Sequence, residues 1–343
     1  MKTFYIGMKN QMLTIQETKT SSTYSTSLKG HKANRLALDP QNKDRQFLAT
    51  DDGLWKTEDA GDNWQEADNG IASKKITAVA VSPTRRADGN TVVYAGTEPS
   101  ALYSSTDYGE SWTEFTGIQD LPSKRNWAFP PRPETHFVRW ITPSASDENY
   151  IGLSIEAGAV IYTNDHGKTW NDRAEESPID VHTLLNHPDA PARLYAANGD
   201  GSSNPQKGYA ESYDSGQTWT YLGEGLDYGY LYNMVLHPID PDQRLVSATK
   251  SAKTAHNING YATVCRKVGE GDFEELADGL PTEGVYTHQL ANNPKNVDAY
   301  YAFNSAGLFW LGPEATSWEK GDIDWPEKYT DERPYFFEVR AND

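Results

Sequence analysis

Four copies of one eight-residue motif constrain this chain more than any other feature of its sequence. The motif reads Ser/Thr-x-Asp-x-Gly-x-x-Trp and begins at Thr57, Ser105, Thr163 and Ser212. Successive motif aspartates are 48, 58 and 49 residues apart. A period of this size indicates an array of similar supersecondary units, which bury their apolar faces against their neighbours. The chain is therefore predicted to fold as such an array.

The residue types of the motif predict a structural turn. A carboxylate accepts hydrogen bonds from the amides of a turn, and glycine adopts backbone conformations that other residues avoid. Tryptophan supplies a large apolar surface that packs between layers. We therefore assign structural roles to the four motif aspartates, Asp59, Asp107, Asp165 and Asp214.

With this motif the chain resembles the Asp-box, or BNR repeat, β-propellers, a superfamily that includes sialidases, xyloglucanases, sortilin-type receptors and photosystem II assembly factors. The resemblance covers nearly the whole chain. It implies that each box lies at the turn between the third and fourth strands of a blade, on the face away from the ligand. Sialidase activity itself is not expected, because the chain lacks the N-terminal arginine motif and a convincing arginine triad.

A second repeated pattern predicts the inner strand of each blade. Six short apolar or alternating runs end in a proline, which cannot continue a central ladder of hydrogen bonds. The closing residues are Pro40, Pro83, Pro143, Pro188, Pro238 and Pro294. A further strand-like run follows each proline after a polar turn. The pattern therefore predicts four-stranded antiparallel blades.

Seven blades account for the 343 residues. Two units keep only the aromatic residue of the motif, at Phe273 and Trp318. Residues 3–30 contain three strand-like runs but no inner strand, and the C-terminal segment 334–341 can supply it, which leaves no open sheet edge. We predict an all-β protein with one domain over residues 1–343, a seven-bladed β-propeller whose ring is closed by the C-terminal strand.

Charge and composition exclude several classes of partner. Lysine and arginine number 31 against 49 acidic residues, a net charge of −18, which opposes binding to nucleic acid or to an anionic membrane surface. No apolar stretch approaches the roughly 18 residues of a membrane span. The N-terminus does not resemble a secretory signal, so we expect a cytoplasmic, monomeric protein; the alternative is a mature chain whose signal has been removed. The single Cys265 excludes an intramolecular disulfide.

Three long loops are expected on one face of the propeller. Long loops rich in aromatic and arginine residues in a compact fold are often functional. Residues 117–135, 198–206 and 250–259 form these loops. They contain the predicted ligand-binding residues Arg125, Trp127, Arg132, Asp200, Lys250 and His256.

Alignment of the inner strands on their prolines places polar residues together at the channel mouth. His182, His288 and Tyr232 align, and His136 falls within one residue of that level. Arg139 aligns with apolar residues of the other blades, and Glu156 is the nearest carboxylate that can pair with it. We predict that His136, His182, His288, Arg139 and Glu156 are catalytic and that Tyr232 binds ligand. General acid–base chemistry, a divalent metal bound by the histidines, and histidines that contact only channel water are all compatible with this pattern.

Two classes of function follow. The first is a hydrolase or lyase that acts on a carbohydrate or a small oxyanionic substrate at the channel mouth. The alternative is a non-catalytic scaffold that recognises a peptide or protein on its top face. No cofactor is firmly implied. The two classes differ in whether the polar residues converge on one site.

Overall fold

Strands dominate the chain, as its alternation of apolar and polar residues predicts. The computed structural model describes residues 1–18, 20–86, 89–293, 296–312, 315–323 and 325–341. Those ranges contain 27 β-strands, the short helix α1 (Ala252–Ala255) and four 3-10 helices, Thr116–Asp120, Pro122–Asn126, Pro205–Gly208 and Glu327–Tyr329. None of the helices in those ranges is long and apolar enough to cross a membrane.

The strands are short and follow one another closely. The first fourteen are β1 (Lys2–Gly7), β2 (Met12–Glu17), β3 (Ser22–Ser27), β4 (Ala33–Leu38), β5 (Gln46–Thr50), β6 (Gly53–Thr57), β7 (Gln65–Glu66), β8 (Ile76–Arg85), β9 (Thr91–Thr97), β10 (Leu102–Ser105), β11 (Thr113–Glu114), β12 (Val138–Pro143), β13 (Ile151–Ile155) and β14 (Ala159–Thr163). The remaining strands are β15 (Val181–His187), β16 (Ala190–Asn198), β17 (Tyr209–Ser212), β18 (Thr220–Tyr221), β19 (Tyr230–Leu236), β20 (Gln243–Thr249), β21 (Ala262–Val268), β22 (Glu274–Glu275), β23 (Gln289–Asn293), β24 (Asn296–Asn304), β25 (Gly307–Leu311), β26 (Glu319–Lys320) and β27 (Phe336–Ala341).

These strands form seven sheets. The first compact unit of the chain comprises residues 1–29, 197–210 and 221–343, and it contains the sheets β27-β1-β2-β3, β19-β20-β21-β22 and β23-β24-β25-β26. The second unit comprises residues 30–196 and 211–220, with the sheets β4-β5-β6-β7, β11-β10-β9-β8 and β12-β13-β14. The seventh sheet has the order β15-β16-β17-β18. In the three-stranded sheet, an isolated bridge between Tyr162 and Asn171 takes the place of a fourth strand. The predicted all-β fold with seven blades is confirmed.

The C-terminal strand completes the N-terminal blade. β27 pairs antiparallel with β1, so that Phe4 lies opposite Val339 and Ile6 opposite Phe337. The rings of Phe4 and Phe337 stack with centroids 5.9 Å apart, and all four of these side chains are buried. The prediction that the C-terminal segment supplies the missing strand is confirmed, and burial of these apolar side chains explains its stability.

Most inner strands end at or before their proline, as predicted, but β8 does not. It continues through Pro83 to Arg85, and its register with β9 shifts between Val81 and Arg85. Because a register shift leaves a residue unpaired, the missing N–H of proline costs no ladder hydrogen bond there. Pro294, the sixth closing proline, lies outside the described residues.

The four motif turns share one hydrogen-bond pattern. In the first, Oδ1 of Asp59 accepts from the Thr57 hydroxyl at 2.7 Å and from the Asn63 amide at 2.9 Å. The same two bonds form at Asp107 (2.7 and 3.0 Å), at Asp165 (2.8 and 2.9 Å) and at Asp214 (2.8 and 2.8 Å). Backbone and hydroxyl donors lower the pKa of Asp59 and Asp165 to about 2. The carboxylates are therefore ionised acceptors in a turn.

Each motif turn holds two successive residues in the left-handed region. Besides the glycine, the residue before it has positive φ: Ala60 (61°), Tyr108 (57°), His166 (58°) and Ser215 (61°). A left-handed conformation is costly for a residue with a Cβ atom, so the hydrogen bonds of the aspartate offset local strain. Only the glycine was expected to adopt this conformation.

Candidate functional site

Four charged side chains come together at one end of the sheet β12-β13-β14. Glu156 follows the last residue of β13, and Arg139 is the second residue of β12. Asp180 precedes β15, and His182 is the second residue of that strand. Residues two apart on a strand point to the same face, which brings Asp180 and His182 together. We call Arg139, Glu156, Asp180 and His182 the charge cluster.

Two ion pairs organise the charge cluster. Arg139 Nε lies 3.4 Å from Glu156 Oε2, and His182 Nε2 lies 3.5 Å from Asp180 Oδ2. The side chains of Arg139 and Asp180 are 24% and 25% exposed, whereas those of Glu156 and His182 are 11% and 1% exposed. The predicted pairing of Arg139 with Glu156 is confirmed. The cation Arg139 and the anion Asp180 thus reach solvent, whereas Glu156 and His182 are buried.

Electrostatics keep the charge cluster ionised. Burial disfavours the charged imidazole of His182, but the carboxylates of Asp180 and Glu156 outweigh it and raise the pKa of His182 to about 9. Burial favours the neutral form of Asp180. The neighbouring cations His182 and Arg139 outweigh this effect and hold the pKa of Asp180 below its ordinary value. At neutral pH the cluster therefore contains two cations and two anions, and His182 is an imidazolium rather than a base.

Arg139 reaches this position through a β-bulge, which corrects its predicted alignment. The register of β12 against β13 shifts between Val138 and Trp140, so Arg139 is the extra residue. The corresponding shifts in β4, β8 and β19 fall at Asn34, Thr77 and Tyr232. Arg139 therefore shares a position with those polar residues and does not interrupt an apolar layer. Alignment on the closing prolines misplaced Arg139 because Pro143 lies two residues closer to the bulge of its strand than Pro40 does to that of β4.

The charge cluster also has the atoms of a metal site. One oxygen each of Glu156 and Asp180 and one ring nitrogen of His182 lie within 4.8 Å of one another. Two carboxylates and one imidazole suit a divalent cation. An ion bound there would have to displace the proton of His182 and compete with Arg139 for Glu156, because metal ligation requires the neutral imidazole.

His288 has a different environment. It is fully buried before β23, in the first unit, where Asn304 Nδ2 lies 3.0 Å from its Nδ1 and the Ala262 carbonyl 3.4 Å from its Nε2. Burial lowers the pKa of His288 to about 4. The ring is therefore neutral, and both of its nitrogens are used within the protein. That His288 shares one pocket with the charge cluster stays a prediction.

His136 directly follows the 117–135 loop and contacts it. Its Nδ1 accepts a hydrogen bond from the Ser100 amide at 3.3 Å, and its ring meets that of Trp127 edge to face at 5.6 Å. Burial and the nearby Lys124 lower the pKa of His136. Trp127 is buried in the core, so it anchors this loop instead of presenting an exposed ring. Arg132 forms a bidentate pair with Glu98, and Arg125 is exposed.

The remaining predicted ligand-binding residues lie in the first unit. Tyr232 is buried and meets the ring of the exposed His256 edge to face at 5.7 Å. Lys250 is exposed, and Asp200 accepts a hydrogen bond from the Tyr221 hydroxyl at 3.4 Å. Arg333, which no sequence pattern singles out, donates a hydrogen bond to the Tyr232 hydroxyl.

Asp180, and a cation–π contact of Trp140 beside Arg139, are not among the sequence predictions. The Asp180-Val-His182 spacing is a sequence signal that could have revealed Asp180. No sequence signal shows that the guanidinium of Arg35 lies 3.7 Å from the ring centroid of Trp140, since these residues are 105 positions apart.

In sequence, the chain matches no protein family and no curated protein. In structure, it is similar to the GH74 enzyme of Niastella koreensis (15% identity, TM-score 0.64), over 92% of this chain and 53% of that one. It is similar to the GH74 xyloglucanase of Xanthomonas campestris (14% identity, TM-score 0.62), over 97% and 54%. The chain thus spans about half the length of these enzymes.

A third similar structure is YCF48 bound to D1 peptide (18% identity, TM-score 0.56), over 84% of this chain and 82% of that one. At these identities, structural similarity establishes the fold and not the activity. The chain has the seven-bladed β-propeller fold, which it shares with GH74 enzymes and with YCF48.

Proposed function

We propose that this chain is a ligand-binding β-propeller that takes a carbohydrate or another small oxyanionic ligand at the charge cluster. One observation carries the proposal: the partly exposed Arg139 and Asp180 are backed by the buried ions Glu156 and His182. A guanidinium binds carboxylate or hydroxyl oxygens, and an aspartate accepts hydrogen bonds from hydroxyl groups. The partly exposed Arg139 and Asp180 therefore offer both kinds of contact that a sugar acid requires.

The two buried ions have a positioning role in this proposal. Glu156 orients the guanidinium of Arg139, and the imidazolium of His182 holds the carboxylate of Asp180 in its ionised form. Side chains that are held in place before the ligand arrives lose less conformational entropy on binding. The cluster is thus supported as a preorganised binding site.

Catalysis is less well supported. A retaining glycoside hydrolase needs two carboxyl groups about 5 Å apart, one of them protonated as the general acid. The spacing of Glu156 and Asp180 fits that requirement, since their oxygens approach within 4.8 Å. However, the lowered pKa of Asp180 and the two neighbouring cations favour the ionised forms. A histidine base is equally unsupported, because His182 is protonated and His288 is enclosed.

Peptide recognition is a second candidate function, favoured by the ordered 117–135 loop. The bonds from Gln119 to the Ser100 carbonyl (3.0 Å) and from the Ser123 amide to Asp172 (2.8 Å) fix this loop, which presents the exposed Arg125. A structurally similar protein, YCF48, was determined with a bound peptide. Loss of peptide binding in Arg125→Gln, with sugar binding unchanged, would separate the two functions.

Titration calorimetry with D-glucuronate and with glucose tests the main proposal. We expect glucuronate to bind more tightly than glucose, because only glucuronate supplies a carboxylate for Arg139. Arg139→Gln should weaken glucuronate binding by about tenfold or more, since a hydrogen bond to a charged group contributes about 1.5–3 kcal/mol.

Arg85→Gln is the matched control, because Arg85 is an exposed arginine at the opposite end of β8 from the register shift at Thr77. This variant should bind glucuronate like the original protein. Failure of the original protein to bind either sugar at millimolar concentration, or unchanged binding by Arg139→Gln, would overturn the proposal.

A further inference from the structure

The segment that leads into β27 places an arginine against an inner strand of the first unit. Arg333 Nη2 donates a hydrogen bond to the hydroxyl of Tyr232 in β19, 101 residues earlier in the chain. The Cζ atom of Arg333 lies 5.2 Å from the ring centroid of Tyr232 and 5.3 Å from that of Tyr335. The guanidinium is therefore held by two aromatic rings and one hydroxyl group.

Arg333 differs from four other arginines of the chain in its charge environment. Arg45, Arg132, Arg139 and Arg193 each form an ion pair with a carboxylate. Within the part of the chain that the structure describes, Arg333 has no carboxylate within 4.0 Å. This is notable in a protein with 49 acidic residues, because a partly buried cation is costly unless an anion or a polar group compensates it.

The donors of Arg333 are only partly used. A guanidinium has five N–H donors in a planar fork, and one of those of Arg333 is directed at Tyr232. Arg333 and Tyr335 are half-buried and His256 is exposed, so solvent reaches this group of side chains. A carboxylate matches the planar fork with two parallel hydrogen bonds. It would also place a negative charge within ion-pair distance of Arg333.

Aromatic side chains surround this position. Tyr230 and Tyr232 form a small buried cluster with Ala255 of α1, and His256 directly after that helix meets the Tyr232 ring at 5.7 Å. The Ser251 capping box fixes α1, so the loop has a defined conformation. A ligand with a flat apolar group can pack beside such rings.

We propose that Arg333, Tyr335, Tyr232 and His256 form a second ligand site, which binds an organic carboxylate with an aromatic body. This site goes beyond the proposed function, because it uses different residues in the other compact unit. Arg333 binds the carboxylate, and the tyrosines and His256 contact the aromatic part.

Titration calorimetry with N-acetylphenylalanine and with its amide tests the proposal, since the two probes differ only in the carboxylate. We expect the acid to bind at least about tenfold more tightly than the amide, as one charge-assisted bidentate contact allows. Arg333→Gln should remove this preference while the melting temperature without ligand changes little. Arg266→Gln, which removes a half-buried arginine from β21, is the control and should bind like the original protein.

Benzoate and a peptide that ends in a free phenylalanine carboxylate, used as further probes, distinguish a free metabolite from a chain terminus. Binding of either one supports the site. Equal binding of acid and amide, absence of binding at millimolar concentration, or full binding by Arg333→Gln would overturn the proposal. A large fall in melting temperature for Arg333→Gln, together with no ligand binding by the original protein, would show that Arg333 serves only packing.

Discussion

His182 and His288 are both buried at the start of an inner strand, yet one is charged and the other neutral. Two carboxylates raise the pKa of His182 to about 9, whereas burial lowers that of His288 to about 4. The difference arises from the neighbours: Asp180 and Glu156 face the first ring, and an amide and a backbone carbonyl face the second. Equivalent-looking histidines in a repeat protein can therefore have opposite roles, an ion in a binding site and a neutral member of the core.

The largest effect on stability and on a histidine pKa is expected from removing the carboxylate of Asp180, which helps to keep His182 charged. Asp180→Asn should lower the pKa of His182 steeply and destabilise the protein by about 3 kcal/mol, because it breaks the ion pair and leaves the buried charge of His182 poorly compensated. Histidine proton chemical shifts and urea unfolding at pH 7 measure the two quantities. Retention of the high His182 pKa in this variant would show that Asp180 is not its main partner. His288 should titrate as before.

The two histidines should also shape opposite limbs of the stability–pH curve. The folded pKa of His182 lies above its unfolded value of about 6.5, so its contribution is complete below that pH and is lost as pH rises through about 9. The folded pKa of His288 lies below the unfolded value, so stability falls as pH drops from about 6.5 towards 4. Each limb should span about 3 kcal/mol.

Glutamine variants separate these two limbs. His182→Gln should flatten only the alkaline limb of the stability–pH curve. His288→Gln should flatten the part of the acid limb above pH about 4, where carboxylates contribute little to the pH dependence. Unfolding free energies measured from pH 4 to 10 test both. An unchanged alkaline limb in His182→Gln would contradict the charged assignment.

The smallest effect is expected at an aspartate that is well bonded but solvent-exposed. Asp107→Ala should cost about 1 kcal/mol, as for loss of a helix cap, because water can replace its turn hydrogen bonds. Binding of glucuronate should not change, since this turn lies at the opposite end of its blade from the turn that corresponds to Glu156. A loss of binding would mean that the motif turns take part in the ligand site.

Much of the fold was predictable because its causes are local. The spacing of residues around Asp59 and Asp107 determines a turn within eight residues, and the aromatic and β-branched residues of Phe336–Val339 favour a strand that needs a partner. The pairing of Arg139 with Glu156 was also predictable, since β12 and β13 are joined by a short connection. The bulge at Arg139 was not, because proline position does not determine register.

The sequence by itself determined the repeat, the number of blades, the structural turns and the strand that completes the first blade, since these follow from local periodicity. Only the tertiary structure decided the charge states of His182 and His288 and the environment of Arg333. A pKa depends on burial and on charges brought together by folding, and Arg333 meets Tyr232 across 101 residues of chain. Such properties belong to the packed surroundings of a side chain, which no local pattern encodes.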